Sequence, residues 1–452
     1  MKQSLLAALL WLPLFAPGLA LAESERIHEY MLDNGMKVLV KEDHRSPVVV
    51  SQVWYRVGAS DEYGGITGVS HVLEHMMFKG TKAHGPGEFS RIIAENGGRE
   101  NAFTGKDYTA YFQTLEKSRL EVSFEMEADR MRNLLLPPEE FEKEVKVVME
   151  ERRMRTEDNP QALTYEQFNA TAFFSSPYHQ PIIGWMNDLE NLEVADLRRW
   201  YERYYAPNNA ILVVAGDVEP DEVLGLARKH FGPLKPSELD ASKPREEYPQ
   251  SGVRSIEVKA PAQLPYLLMG YKVPVIRTAQ PDWEPYALEV LAGVLDGGNA
   301  SRLQRQLVRQ QELAASVGAG YSPISRYDEL FTIEATPARG VRIEDLERAI
   351  GKQIQRLHTK LISDEELKRV KAQVVASKVY QQDSLFYQAM ELGMLETTGV
   401  GWRVGQDYEA RIDEVTPEQV RTVARKYLVE EGLTIAQLVP LKQNGEVRDA
   451  TH

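Results

Sequence analysis

His71-Val72-Leu73-Glu74-His75 holds two imidazoles four residues apart, with a carboxylate directly before the second. On a helix, at 100° per residue, the three polar side chains fall within an arc of roughly 100°. Two imidazoles one turn apart can ligate a single metal ion, and Glu74 beside them is placed to accept a proton. Val69, Val72, Leu73 and Met76 follow the i, i+3, i+4, i+7 spacing of an apolar stripe on the opposite side. The plain alternative is a solvated polar face that happens to carry two histidines, and the clean apolar stripe opposite weighs against it. The chain has no Cys, which excludes thiol nucleophiles, iron–sulfur clusters, Cys-based zinc knuckles and disulfide scaffolds. Chemistry must rest on His, carboxylates and hydroxyls. His28, His44, His84, His179 and His230 stand outside ligand spacing and read as surface or locally satisfied residues.

A catalytic zinc takes three protein ligands and keeps one position open. The pentapeptide inverts the common zinc-protease order, as in the inverzincins. Its surroundings resemble the pitrilysin and mitochondrial-processing-peptidase family of zinc metallopeptidases. The matching residues are Leu32-Asp33-Asn34-Gly35, Gly68-Val69-Ser70, Met77-Phe78-Lys79-Gly80-Thr81, and Asn101-Ala102-Phe103-Thr104 with Asp107 and Thr109. Pro207-Asn208-Asn209 and Gly216-Asp217 extend the match.

That resemblance implies one Zn²⁺ per chain, held by His71, His75 and Glu151, the family register preferring Glu151 to Glu150. It implies that Glu74 is the general base and that Glu144 is a second, supporting carboxylate of the catalytic site. Seven residues before Glu151, Glu144 lies about 20° from it around a helix axis. Asn101, Ala102 and Phe103 belong to the edge strand that pairs with an extended substrate in the family, where main-chain pairing gives affinity and side-chain pockets give preference. The implied activity is metalloendopeptidase hydrolysis of peptides or unfolded polypeptides.

One feature departs from the family. Its members carry an Arg and, seven residues later, a Tyr that hold substrate in the second half; here Val308 and Ala315 occupy those positions, and Arg309 would point about 100° away on a helix. The position matching Glu151 is Ser377, and the only histidines of the second half are His358 and His452. The expectation is a zinc-bearing subunit whose homologous partner supplies the Arg/Tyr pair, with a homodimer as the other arrangement. A non-catalytic scaffold or assembly subunit is the alternative, against which all four residues of the zinc motif are present.

The elements that must position these residues are legible in outline. Ile27 to Met31 and Met36 to Lys41 flank Asp33-Asn34-Gly35, a hairpin signal. Val48 to Val57, Tyr108 to Leu115 and Ile211 to Ala215 read as strands. Helical patterns cover about Thr67–Phe78, Ser118–Leu135 and Glu139–Arg155. Glu139-Glu140-Phe141-Glu142-Lys143 resembles Glu365-Glu366-Leu367-Lys368-Arg369, and the proline-rich stretch 233–253 between them reads as a linker.

The expected fold class is α+β: two homologous halves, each a mainly antiparallel sheet packed with helices, in the clamshell of the LuxS/MPP-like metallohydrolase fold. The expected divisions are a catalytic half at 23–232, the linker, a metal-free half at 254–440 and a tail at 441–452. Lys2, the apolar run Leu5 to Phe15 and Ala20-Leu21-Ala22 mark residues 1–22 as a signal peptide. The expectation is an exported, periplasmic or secreted protein with no membrane anchor after cleavage. A net charge of −14 argues against nucleic acid as a partner.

Overall fold

A computed structural model describes residues 27–239, 243 and 245–441; the expected signal peptide, and the tail after Leu441, lie outside the described residues. The first sheet contains β1 (Ile27–Met31), β2 (Lys37–Glu42), β3 (Val48–Tyr55), β4 (Arg99–Thr104), β5 (Thr109–Glu116) and β6 (Ala210–Gly216), in the order β1-β2-β6-β3-β5-β4. The second contains β7 (Arg254–Pro261), β8 (Tyr266–Val273), β9 (Ala314–Gly320), β10 (Glu329–Pro337) and β11 (Leu433–Leu441), in the order β7-β11-β8-β10-β9. Each sheet has one parallel pair, β2 with β6 and β7 with β11, and is otherwise antiparallel. With β1 removed, the first order repeats the second strand for strand. The sequence repeat is therefore a repeat of topology.

The helices continue the duplication. The first half carries α1 (Val69–Met76), α2 (Glu88–Glu95), α3 (Leu120–Asn133), α4 (Pro138–Arg152), α5 (Pro160–Ala172), α6 (Met186–Asn191), α7 (Val194–Tyr204) and α8 (Pro220–His230). The second carries α9 (Glu284–Asp296), α10 (Ile343–Thr359), α11 (Asp364–Gln381) and α12 (Leu385–Thr397), with a further helix at Pro417–Tyr427. Glu139 and Glu365, which open the matched segments, sit in the first turns of α4 and α11. No helix among the described residues is long and apolar enough to cross a membrane.

Each half covers the other's sheet. Phe168, Ala172 and Phe173, at the end of α5, pack on Val258, Leu268, Ala436 and Leu438 of the second sheet. Ala389 and Leu392 of α12 pack on Leu39, Val50, Trp54, Ile211 and Val213 of the first. This exchange explains the unbroken apolar run of β6 and the burial of both faces of β3 and β6, although most of their pairings are antiparallel. A glycine receives the aromatic ring at each contact: a methyl built on Gly270 would lie 2.5 Å from Phe168, and one on Gly393 would lie 2.1 Å from Trp54. The stretch 233–253 carries no helix or strand in its described part. It is pinned where the Glu247 carboxylate accepts the backbone N–H groups of Phe174, Ser175 and Ser176.

Boundaries shift by one to three residues from the sequence expectation, each for a local reason. The helix expected from Thr67 starts at Val69 because Gly68 takes a left-handed φ of 88°. The pattern expected to Arg155 ends as an α-helix at Arg152 and continues as a π-helical turn over Arg153–Glu157. Val308 and Ala315 do not share a helix: Val308 lies in the turn Gln304–Gln310 and Ala315 on β9, so the angular argument about Arg309 does not apply.

The interlocking of the halves predicts the cost of a small change. Gly393→Ala forces a methyl into a rigid indole that cannot swing away. Overpacking of about 1–3 kcal/mol should outweigh the ~1 kcal/mol gain in helix propensity. Urea denaturation should show a net loss of stability; an unchanged or higher midpoint would contradict the packing.

Candidate metal centre

Helix α1 is fixed by what it buries. Val69, Val72, Leu73 and Met76 have no exposed surface, and the helix lies against α4, α7 and β4. Its start is capped from outside: the buried Glu62 carboxylate accepts the N–H groups of Gly68 at 2.7 Å and Ser70 at 2.8 Å. Burial pushes the Glu62 carboxyl up to about 8, against the pull of those two donors. Gly68 cannot be replaced freely, since a Cβ there would meet Ile183 O at 2.7 Å and Leu189 at 2.9 Å.

The opposite face meets α4. Glu151 Oε2 lies 3.6 Å from His75 Nε2 and 3.9 Å from His71 Nε2. The imidazole rings stand 4.9 Å apart at 83°. His71, His75 and Glu151 form the one group of three or more His and acidic residues with metal-ligand spacing among the described residues. Glu150 points to solvent, its side chain 64% exposed and paired with Arg153. The three donor atoms lie within 4.8 Å of one another, and tetrahedral zinc with ligands at about 2.0–2.1 Å draws donor atoms to about 3.3 Å, so the two carboxylate–imidazole distances need only shorten by about half an ångström.

The groups around the triangle orient it. Glu144 Oε2 lies 3.1 Å from His75 Nδ1 and its other oxygen accepts from Lys79 at 2.6 Å. A carboxylate accepting a hydrogen bond from Nδ1–H leaves the Nε2 lone pair facing Glu151. Arg155 pairs with the second oxygen of Glu151. Burial holds the His71 imidazole down to about 3, so it is neutral at pH 7 with a lone pair to donate. Glu74 accepts a 2.5 Å hydrogen bond from Thr104 Oγ1 at the end of β4, and burial raises its carboxyl above the usual range. A base whose pKa moves towards neutrality is better matched to accepting and returning a proton.

Of the substrate-strand residues, Asn101 is exposed and Ala102 and Phe103 are half-buried. β4 is the end strand of its sheet, paired only to β5. The Phe103 ring is already occupied, edge-on to Trp54 at 5.3 Å and to Tyr108, so its backbone rather than its ring is free at that edge. Tyr178 is buried at the junction of the halves and His179 bonds the Ser176 carbonyl, away from the triangle's partners. The site list read from sequence lacked Thr104, Lys79, Arg155 and Glu62. One of these had a local signal, since Arg155 lies four residues after its partner Glu151.

The second half shows the same frame without ligands. In α9, Ala287, Val290, Leu291 and Val294 repeat the fully buried stripe of α1. Glu289, Ala292 and Gly293 then stand where His71, Glu74 and His75 stand in the first half. On α11, Val370 touches the Gly293 position as Glu144 touches His75, and Ser377 matches Glu151.

Residues 37–185 match the family described as insulinase (peptidase family M16), and residues 191–374 match the peptidase M16 inactive domain. The zinc protease PqqE of Helicobacter pylori is 35% identical over 344 residues, covering 75% of this chain and 76% of that protein. The crystal structure of a protease from Helicobacter pylori superposes with a TM-score of 0.87 at 30% identity, covering 92% of this chain and all of that one. The periplasmic protease PqqL of Escherichia coli shares the fold at 18% identity and a TM-score of 0.77, with 92% of this chain matching 48% of that chain. The chain belongs to peptidase family M16, the pitrilysin family.

The neutral, buried His71 sets a pH dependence. Its folded pKa lies below the unfolded value near 6.5, so its contribution to metal-free stability is complete above pH 6.5 and is lost as pH falls towards 3. Between pH 6.5 and 5 the loss should be about 2 kcal/mol. Urea denaturation of metal-free protein should show this loss as the difference between wild type and His71→Gln over these pH values, because Glu62, held near 8 by burial, titrates in the opposite sense in both proteins. An equal acid loss in both proteins would contradict the burial of the imidazole.

Proposed function

We propose that this chain is a zinc-dependent metalloendopeptidase acting on peptides or unfolded polypeptides. The observation that carries the reading is the convergence of two imidazoles and one carboxylate from helices 76 residues apart, with Glu74 beside them. His71, His75 and Glu151 would hold one Zn²⁺ per chain; borderline-soft nitrogen donors with one carboxylate are a donor set that zinc accepts with an open fourth position. Zinc bound there lowers the pKa of water towards 7 and polarises the scissile carbonyl. Glu74 takes the proton of the attacking water and returns it to the leaving amine, while Thr104 holds the carboxylate in position. Glu144, braced by Lys79, keeps His75 in the tautomer that donates from Nε2. The edge of β4 at Asn101, Ala102 and Phe103 pairs with the substrate backbone, which favours extended chains over folded ones.

The inactive-domain match covers 191–374 and so excludes His71, His75 and Glu151. We read the chain as the zinc-bearing subunit of a two-subunit enzyme. The second half lacks the Arg/Tyr pair, and this chain corresponds in fold to half of the two-unit PqqL chain. A periplasmic location, after removal of residues 1–22, is supported by the leader pattern and by that neighbour's compartment.

Three variants test the assignment by metal analysis and a fluorogenic peptide assay. Glu74→Gln should retain one zinc per chain and lose at least 10³-fold in turnover. Glu151→Ala should lose both, and Glu150→Ala neither. A Glu74→Gln protein that still cleaves peptide would remove the general base from this account. Size-exclusion chromatography with a co-expressed homologous subunit should show a heterodimer more active than the chain alone; full activity of a lone homodimer would contradict the two-subunit reading.

A further inference from the structure

The motif that contains Asn101 to Thr104 also contains Asp107, which takes no part in the chemistry above and is nevertheless buried. It sits in the turn that joins β4 to β5, immediately after the Thr104 that holds Glu74. Polar groups along this turn are bound from outside the hairpin. The carbonyls of Gly105 and Lys106 accept from the N–H groups of Ala59 and Ser60 at 3.1 and 2.7 Å. Asp107 Oδ1 accepts from Ser60 Oγ at 2.9 Å. Asp107 Oδ2 accepts from the Tyr178 hydroxyl at 2.5 Å and from the Arg326 N–H at 2.9 Å.

Arg326 belongs to the other half, three residues before β10. Its guanidinium donates to the Asp107 carbonyl at 2.6 Å and to Asp61 Oδ1 at 2.7 Å. Asp61 precedes Glu62, which caps α1. One planar fork therefore spans both arms of the metal centre, the loop that starts the ligand helix and the turn that ends the substrate strand. Lys106 adds a second tie across the halves, 3.1 Å from Glu329.

Adhesion between the halves does not require this cluster, because the exchanged helices α5 and α12 already bury two apolar interfaces. Buried ion pairs contribute little net stability but impose geometry, and an arginine fork fixes two acceptors at once where an ammonium fixes one. The cluster lies at the one end of β4 where a small rotation between halves would move Thr104.

We propose that Arg326 and Asp107 are positioning residues for peptide hydrolysis: the half without ligands sets the register of the β4 edge and of the Thr104–Glu74 contact. This rests on the peptidase reading. It makes the second half a working part of the site rather than a support.

The test uses the full chain, zinc-loaded, with its partner subunit if activity requires one. Arg326→Lys keeps the charge but cannot span Asp61 and the Asp107 carbonyl. It should lower kcat/KM at least tenfold with one zinc per chain retained. In the Glu74→Gln background it should weaken binding of a fluorescein-labelled ten-residue peptide at least fivefold. Combined with Thr104→Val, it should cost clearly less than the product of the two single losses, because part of its effect passes through the Thr104–Glu74 contact. Lys106→Met, at the less buried tie, should lower kcat/KM about threefold and decides the matter if Arg326→Lys does not fold. Wild-type kcat/KM and peptide affinity in these variants, or losses that multiply in full with Thr104→Val, would overturn the proposal. Absence of any peptide binding by Glu74→Gln itself would instead overturn the peptidase reading on which it rests.

Discussion

An eight-residue helix has to satisfy two demands that face in opposite directions. One side of α1 buries Val69, Val72, Leu73 and Met76 completely; the other presents His71, Glu74 and His75 to α4. The 3.6-residue period makes these demands compatible, since burying the stripe fixes the azimuth of the ligands. So short a helix has little stability of its own, and its direction comes from its surroundings. Glu62 binds its first amides, Gly68 lets the chain enter at positive φ against Ile183, and α4 meets it at Glu144 and Glu151. A slip of one residue in α1 would bury an imidazole and expose a leucine.

The duplicated frame separates packing from chemistry. α9 preserves the buried stripe of α1 while Glu289, Ala292 and Gly293 replace its ligand face, and α11 preserves the partner helix with Ser377 in place of Glu151. The stripe is required in both halves because each sheet needs its helix layer, whereas ligands are required only where metal is held. The exchange of α5 and α12 makes the halves interdependent: each sheet's second face is covered by a helix encoded in the other half. A two-sided sheet of this kind cannot bury its apolar runs as an isolated half.

Much of this was legible in the sequence where the signal is local. The hairpin at Asp33-Asn34-Gly35, the strand Ile211 to Ala215 and the two-faced helix at His71 to His75 depend on spacing within about ten residues, and the structure contains all three. The choice of Glu151 over Glu150 came from family register, and the structure supplies its geometric counterpart, one carboxylate against the imidazoles and one in solvent. What escaped was non-local. Nothing near Glu62 marks it as the cap of a helix six residues on, and nothing near Arg326 marks it as a partner of Asp107, 219 residues away. The helix exchange left a trace, the apolar continuity of β6, but that trace does not say which helix lies above. Phe103 was placed on the substrate strand by resemblance to the family, and only tertiary packing shows that its ring is spent on Trp54.

Zinc K-edge X-ray absorption on the purified, zinc-reconstituted chain tests most directly the claim that α1 and α4 converge on one metal. The account predicts a four-coordinate first shell at about 2.0–2.1 Å, two of its members showing the outer-shell scattering of imidazole and the others oxygen. An all-oxygen shell without imidazole scattering, or zinc that does not bind at one equivalent per chain, would contradict it.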